Sequence, residues 1–207
     1  MRILVFGDSI VYGMWDVEGG GWVARIKRHY DELQLRDLGA AIPEVYNLGV
    51  SGGTAAPHIA ERIGSEILYR SRQQQVVAVV AVGLNDSMWD HGLRVGYEAR
   101  IFPKDLQDIV NAIREYTDKI LFVGLTACDE SKTKPVSWGD YVFTNESILE
   151  YENMLSDFCT QQNIPLVRLF NHFRDKPELL VDGLHPNETG HELISNLVKS
   201  ELEKLLG

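Results

Sequence analysis

The chain is short of several things, and each shortage excludes a class of protein. It has two cysteines in 207 residues, Cys128 and Cys159, and neither belongs to a Cys-x-x-Cys pair. That rules out a disulfide-stapled scaffold and a cysteine-rich metal site, so both are read as free thiols. Positive charge is scarce: 20 lysines and arginines stand against 30 aspartates and glutamates, a formal net charge of −10. Nucleic acid and anionic lipid need a basic face and are not expected as partners. No apolar run approaches the ~18 residues that span a bilayer. Met1-Arg2 leads straight into a β-rich run with no small-residue cleavage site, so a cytoplasmic location is expected. His29, His58, His91, His172 and His191 lack a ligand spacing such as His-Glu-x-x-His, so no metal is expected, and most are read as surface or helix-face residues. Gly19-Gly20-Gly21 is not followed by Gly-Lys-Ser/Thr and is no phosphate loop, and no cofactor is expected.

What remains is an ordinary globular composition, 44% hydrophobic and 24% charged, long enough for one cored domain over residues 1–207. Apolar β-branched runs alternate with helical patterns. Strands are predicted over 2–6, 44–50, 75–82, 119–125 and 165–169. The run Val76 to Val82 is continuous rather than alternating, as in a strand covered on both faces. Helices are predicted over 21–38, from Thr54 as N-cap through about 69, around Leu106 to Ile113, over 145–162 and over 188–206. The β-α alternation implies one parallel sheet with helices on both faces. Residues 127–144 form the one long irregular stretch, and a loop of that length in a compact domain is functional or mobile.

In open α/β sheets, ligands sit at the carboxyl ends of the strands. The polar signals of this chain fall there. Gly7-Asp8-Ser9 follows the first strand, Ser51-Gly52 the second and Gly83-Leu84-Asn85-Asp86 the third, while Asp182-Gly183-Leu184-His185-Pro186 precedes the last helix. Ser9, His185 and Asp182 supply a hydroxyl, an imidazole and a carboxylate, the three parts of a nucleophilic triad. Singly, each is a turn or a helix cap. Asp8 is read structurally, bonding local backbone N–H groups to hold the turn at Ser9.

Together the four segments resemble the blocks of the GDSL, or SGNH, hydrolase family. Phe6-Gly7-Asp8-Ser9-Ile10, Asn47 to Thr54, Gly83-Leu84-Asn85-Asp86 and Asp182-Gly183-Leu184-His185-Pro186 occur in the family's order across nearly the whole chain, with Ile10 where the family name has leucine. The resemblance implies that Ser9 is the nucleophile, His185 its base and Asp182 the group that orients the imidazole. It implies an oxyanion hole from the backbone N–H groups of Ser9 and Gly52 and the side-chain amide of Asn85. It points to a serine esterase acting on small-molecule carboxylic esters, with thioesterase, lysophospholipase or carbohydrate deacetylase as alternatives. The fold expected is a three-layer α/β/α sandwich with five parallel strands in flavodoxin-like order 2-1-3-4-5. A different class, a non-catalytic flavodoxin-like ligand-binding module, would leave the triad residues coincidental.

One rival nucleophile is present. Gly49-Val50-Ser51-Gly52-Gly53 satisfies Gly-x-Ser-x-Gly after a strand and before a helix, the context of a nucleophile elbow. It follows only the second strand and lacks a preceding oxyanion segment, so Ser9 is preferred. Trp15, Trp89, Trp138, Tyr141 and Phe143 lie in or near loops at the same face and are expected to line a substrate pocket.

Overall fold

The structure is a computed structural model that describes residues 1–94 and 101–207. Numbered in chain order, its strands are β1 (Arg2–Gly7), β2 (Glu44–Gly49), β3 (Val76–Ala81), β4 (Trp89–Asp90), β5 (Leu93–Arg94), β6 (Ile120–Val123), β7 (Tyr141–Val142) and β8 (Leu166–Val167). Five of them form one parallel sheet in the order β2-β1-β3-β6-β8. Counted within that sheet, the order is 2-1-3-4-5, as the family resemblance implies. Every residue of β1 is buried, as is Val76–Val80 of β3, because helices cover both faces of these central strands.

The longer helices are α2 (Trp22–Arg36), α3 (Ile63–Ser71), α4 (Phe102–Arg114), α5 (Asn145–Gln162) and α7 (Glu188–Leu206); α1 (Ser9–Tyr12) and α6 (Phe170–Phe173) are single turns. Right-handed crossovers decide their faces. The step from β1 to β2 runs one way across the sheet, and the later steps run the other way. The helix α2 therefore packs with α7, while α3, α4 and α5 pack together on the opposite face. Apolar stripes seal both layers: Trp22, Val23 and Ile26 on α2, and Leu106, Ile109, Val110 and Ile113 on α4 are all buried. Among the described residues, no helix is long and apolar enough to cross a membrane.

Two differences from the sequence reading bear on the site. The helix expected from Thr54 to 69 is broken. Ala56 is extended (φ −129°, ψ 144°), the backbone a residue before proline prefers, so one wide turn over Ala55–Ile59 precedes α3. The stretch 127–144 is not a loose loop. Tyr141–Val142 pairs with Trp89–Asp90, which also pairs with Leu93–Arg94, in a small antiparallel sheet. Further bonds pin the stretch. The Phe143 N–H donates to the Thr133 carbonyl at 3.0 Å and the Thr133 hydroxyl to the Phe143 carbonyl at 2.9 Å, and Asn145 binds both backbone groups of Cys128 at 2.9 Å.

Candidate active site

All five parallel strands end on the same edge, and the segments that follow them converge there. β1 runs into Asp8, which caps α1: its carboxylate accepts the Ile10 N–H at 2.9 Å and fixes the turn that presents Ser9. Gly49, at the end of β2, makes room for that turn, since an added Cβ would lie 2.3 Å from the Tyr12 backbone nitrogen. At the far end of the chain, the Asp182 carboxylate folds its own loop. One oxygen accepts the N–H groups of Leu184 (3.0 Å) and His185 (2.8 Å), and the Val181 N–H donates to the His185 carbonyl at 2.9 Å. The stretch 127–144 supports this loop from outside, with the Asp129 N–H on the Gly183 carbonyl at 2.8 Å.

The two ends of the sequence meet in a line of hydrogen bonds. Ser9 Oγ lies 2.9 Å from His185 Nε2, and His185 Nδ1 lies 2.8 Å from Asp182 Oδ2. Burial would raise the Asp182 pKa, but the His185 side chain and the backbone N–H groups of His185 and Leu184 outweigh it and hold this carboxylate well below the usual range. An ionised carboxylate only accepts, so His185 Nδ1 must carry a proton. In the neutral imidazole Nε2 is then an acceptor, and the Ser9 hydroxyl donates to it.

Gly52 and Asn85 complete the group. The turn Ser51–Gly53 closes with the Gly53 N–H on the Val50 carbonyl at 2.9 Å. Gly52 sits there at φ +76°, where L side chains are disfavoured, and an added Cβ would meet no protein atom but point into open space. Glycine is needed here for its backbone and for the room it leaves. The Asn85 amide nitrogen donates to the Gly53 carbonyl at 3.0 Å, which orients it toward the same corner.

Ser9, Gly52, Asn85, Asp182 and His185 all line a cavity of about 480 Å³. Its walls are Met14, Trp15, Met88, Trp138, Tyr141, Phe143 and Leu184. Of the five aromatic residues expected here, Trp15, Trp138, Tyr141 and Phe143 line it. Trp89 lies outside, in a neighbouring depression with Gly92, Val142 and Thr144. Ser51 reaches the rim of the cavity, but the imidazole of His185 is engaged by Ser9.

Besides misplacing Trp89, the sequence reading passed over the supports beneath the site. His191 lies on α7, but on its inward face, where it is wholly buried. Its Nδ1 accepts the Trp22 N–H at 3.2 Å, and its Nε2 bonds the Met14 carbonyl at 3.0 Å. Burial pushes its pKa down, keeping it neutral. The signal was available: residues 191, 194, 198 and 202 follow helical spacing, and the other three are the apolar stripe of α7. Asp16 had no such signal. It gathers the N–H groups of Gly19 (2.8 Å) and Gly21 (3.0 Å) and the Arg25 guanidinium (2.9 Å) under the segment that carries Trp15.

A parallel α/β/α sandwich with a serine, a histidine and an aspartate in hydrogen-bonded line at its strand ends defines a hydrolase class. The chain matches the GDSL-like lipase/acylhydrolase family over residues 5–193 and belongs to it, which makes it a carboxylic ester hydrolase. No curated protein matches it significantly. Solved structures share its fold. A lipase/acylhydrolase from Enterococcus faecalis is 22% identical, with a TM-score of 0.74 over 98% of this chain and 95% of the other. An acetyl xylan esterase, AlAXEase, is 23% identical, with a TM-score of 0.74 over 97% and 99%. The psychrotrophic esterase EstA from Pseudoalteromonas sp. is 19% identical, with a TM-score of 0.71 over 99% and 98%.

Proposed function

We propose that the protein is a serine esterase that works through an acyl-enzyme on Ser9. The observation that carries this reading is the unbroken line from Ser9 Oγ through His185 to Asp182, at 2.9 and 2.8 Å, lining a cavity. His185 Nε2 takes the hydroxyl proton as Oγ attacks the ester carbon, and the carbonyl electron pair moves onto oxygen. That oxyanion is received by the backbone N–H groups of Ser9 and Gly52 and by the Asn85 amide. Collapse breaks the bond to the alcohol, which leaves with the proton from Nε2. Water then repeats the sequence on the acyl-enzyme, releasing the acid and restoring Ser9. Asp182 stays ionised throughout and stabilises the imidazolium.

A second reading, deacetylation of an acetylated carbohydrate, has its own support. The indoles of Trp15 and Trp138 are 52% and 46% exposed at the cavity, offering apolar faces to a sugar ring. Acetyl xylan esterases are also among the similar structures. One experiment tests the common core. A fluorophosphonate probe is expected to label the wild type and not Ser9→Ala; equal labelling of both would reject Ser9. Hydrolysis rates on p-nitrophenyl esters of rising chain length, beside an acetylated xylo-oligosaccharide, then separate the two readings.

A further inference from the structure

We propose that Trp15 is a positioning residue for Asp182 and His185, its indole N–H fixing the carboxylate against which the imidazole is aligned. The proposal rests on the roles given to Ser9 and His185 above. The Asp182 carboxylate has about four acceptor directions, and four donors fill them. Oδ1 takes the N–H groups of Leu184 and His185, while Oδ2 takes His185 Nδ1 at 2.8 Å and Trp15 Nε1 at 2.9 Å. Three of these donors belong to the loop of Asp182 itself. The fourth comes from the segment that carries Ser9, 167 residues away.

A residue that merely lined the cavity would not need the backbone Trp15 has. Its φ is +69°, in the left-handed region where bulky L residues are rare. Such a conformation persists only where the surroundings over-determine it, and both neighbours of Trp15 are clamped. The Met14 carbonyl is held by buried His191, which is held in turn by the Trp22 N–H. The buried Asp16 carboxylate is held by Gly19, Gly21 and Arg25. Between these two anchors, a half-exposed indole turns its polar edge onto the carboxylate.

The consequence is a double tie between the two ends of the chain. Ser9 meets His185, and six residues on, Trp15 meets Asp182. The second contact stops Oδ2 from swinging away from the imidazole. It also divides the charge of Oδ2 between two donors.

The test is Trp15→Phe in the full-length chain, which keeps a ring and removes the N–H. On p-nitrophenyl acetate, kcat is expected to fall about 3- to 10-fold, the worth of one hydrogen bond, with KM within about twofold. The far-downfield proton resonance of His185 Nδ1 is expected to move further downfield, because Oδ2 then serves one side-chain donor. Trp15→His restores a ring N–H and is expected to recover part of kcat. An unchanged kcat with a raised KM would make Trp15 a wall of the cavity only and overturn the proposal. So would an unmoved proton resonance, or equal losses in the Phe and His variants. Ser9→Ala is measured alongside: if it stays active, the reading of the site fails, whatever Trp15 does.

Discussion

Asp86 accepts the backbone N–H of Ala55 with both carboxylate oxygens, at 3.1 and 3.3 Å, and so ties the segment after β3 to the turn after β2. Asn85 immediately precedes Asp86, and Gly52 lies three residues before Ala55. Burial raises the Asp86 pKa to about 7 against an ordinary 3.8; the Ala55 N–H opposes this, while Asp105 and Asp8 add to it. Between those two values the folded chain keeps a proton that the unfolded chain has released. This contribution to stability is therefore full below about pH 4 and is lost as pH rises to about 7. Asp86→Asn keeps an acceptor for Ala55 and cannot ionise. Its melting temperature relative to wild type is expected to be higher at about pH 8 than at about pH 4.5. Calorimetry at the two pH values checks this, and an equal difference at both removes the assignment.

Asn85 makes a separable prediction. Its amide nitrogen donates to the Gly53 carbonyl at 3.0 Å and, more loosely, to Asp8 Oδ2 at 3.5 Å, and in the proposed reaction the N–H on the longer bond turns to the oxyanion. Asn85→Ala is expected to lower kcat by about 10²- to 10³-fold, the typical loss of one oxyanion donor. KM on the same ester should change little, since the donor acts on charge that exists only after attack. Asn85→Asp is expected to be worse still, because it sets a negative charge beside a developing one. A purely structural Asn85 would lower the melting temperature and leave kcat per folded molecule intact.

Close packing under the Ser9 turn gives a stability prediction. In Gly49→Ala the new methyl would sit 2.3 Å from the Tyr12 nitrogen and 2.8 Å from its Cα. Both are backbone atoms, so either α1 or the end of β2 must move. A loss of about 1–3 kcal/mol is expected from such overpacking, read as a lower melting temperature. Activity should fall with it, because α1 begins at Ser9.

The sheet was legible in the sequence because fully buried parallel strands carry continuous apolar runs, as Val76 to Val82 does. The convergence of Ser9, Gly52 and Asn85 followed from strand ends sharing one edge, whereas His185, well past the last strand, was placed with them by the family resemblance. What was not legible was of two kinds. The pairing of Tyr141–Val142 with Trp89–Asp90 uses two-residue strands, too short for any periodicity to mark them. The supports beneath the site are side chains reaching distant backbone groups: His191 to Met14, Asp86 to Ala55, Trp15 to Asp182. Such bonds depend on where the loops lie, and loop positions are set by packing rather than by local sequence pattern. Trp89 shows the converse. It neighbours the Asn85 segment in sequence, but strand pairing places it over a different depression.

Trp138 carries the last prediction. Its ring centroid is 5.4 Å from that of His185, at an interplanar angle of 46°, so the imidazole lies beside an indole π system. In the proposed reaction His185 becomes a cation only after Ser9 has attacked. An aromatic face near a cation is worth about 0.5–2 kcal/mol, depending on how far water is excluded. That stabilisation applies to the charged transition state and not to the resting imidazole, so it belongs to kcat. Trp138→Ala is therefore expected to reduce kcat about 3- to 30-fold, and Trp138→Phe, with its weaker π face, less. The fold should tolerate both changes, since the side chain is 46% exposed. Steady-state kinetics on a small acetate ester, too short to lean on the indole, are the measurement. A loss confined to KM on larger esters would instead make Trp138 a contact for the leaving group.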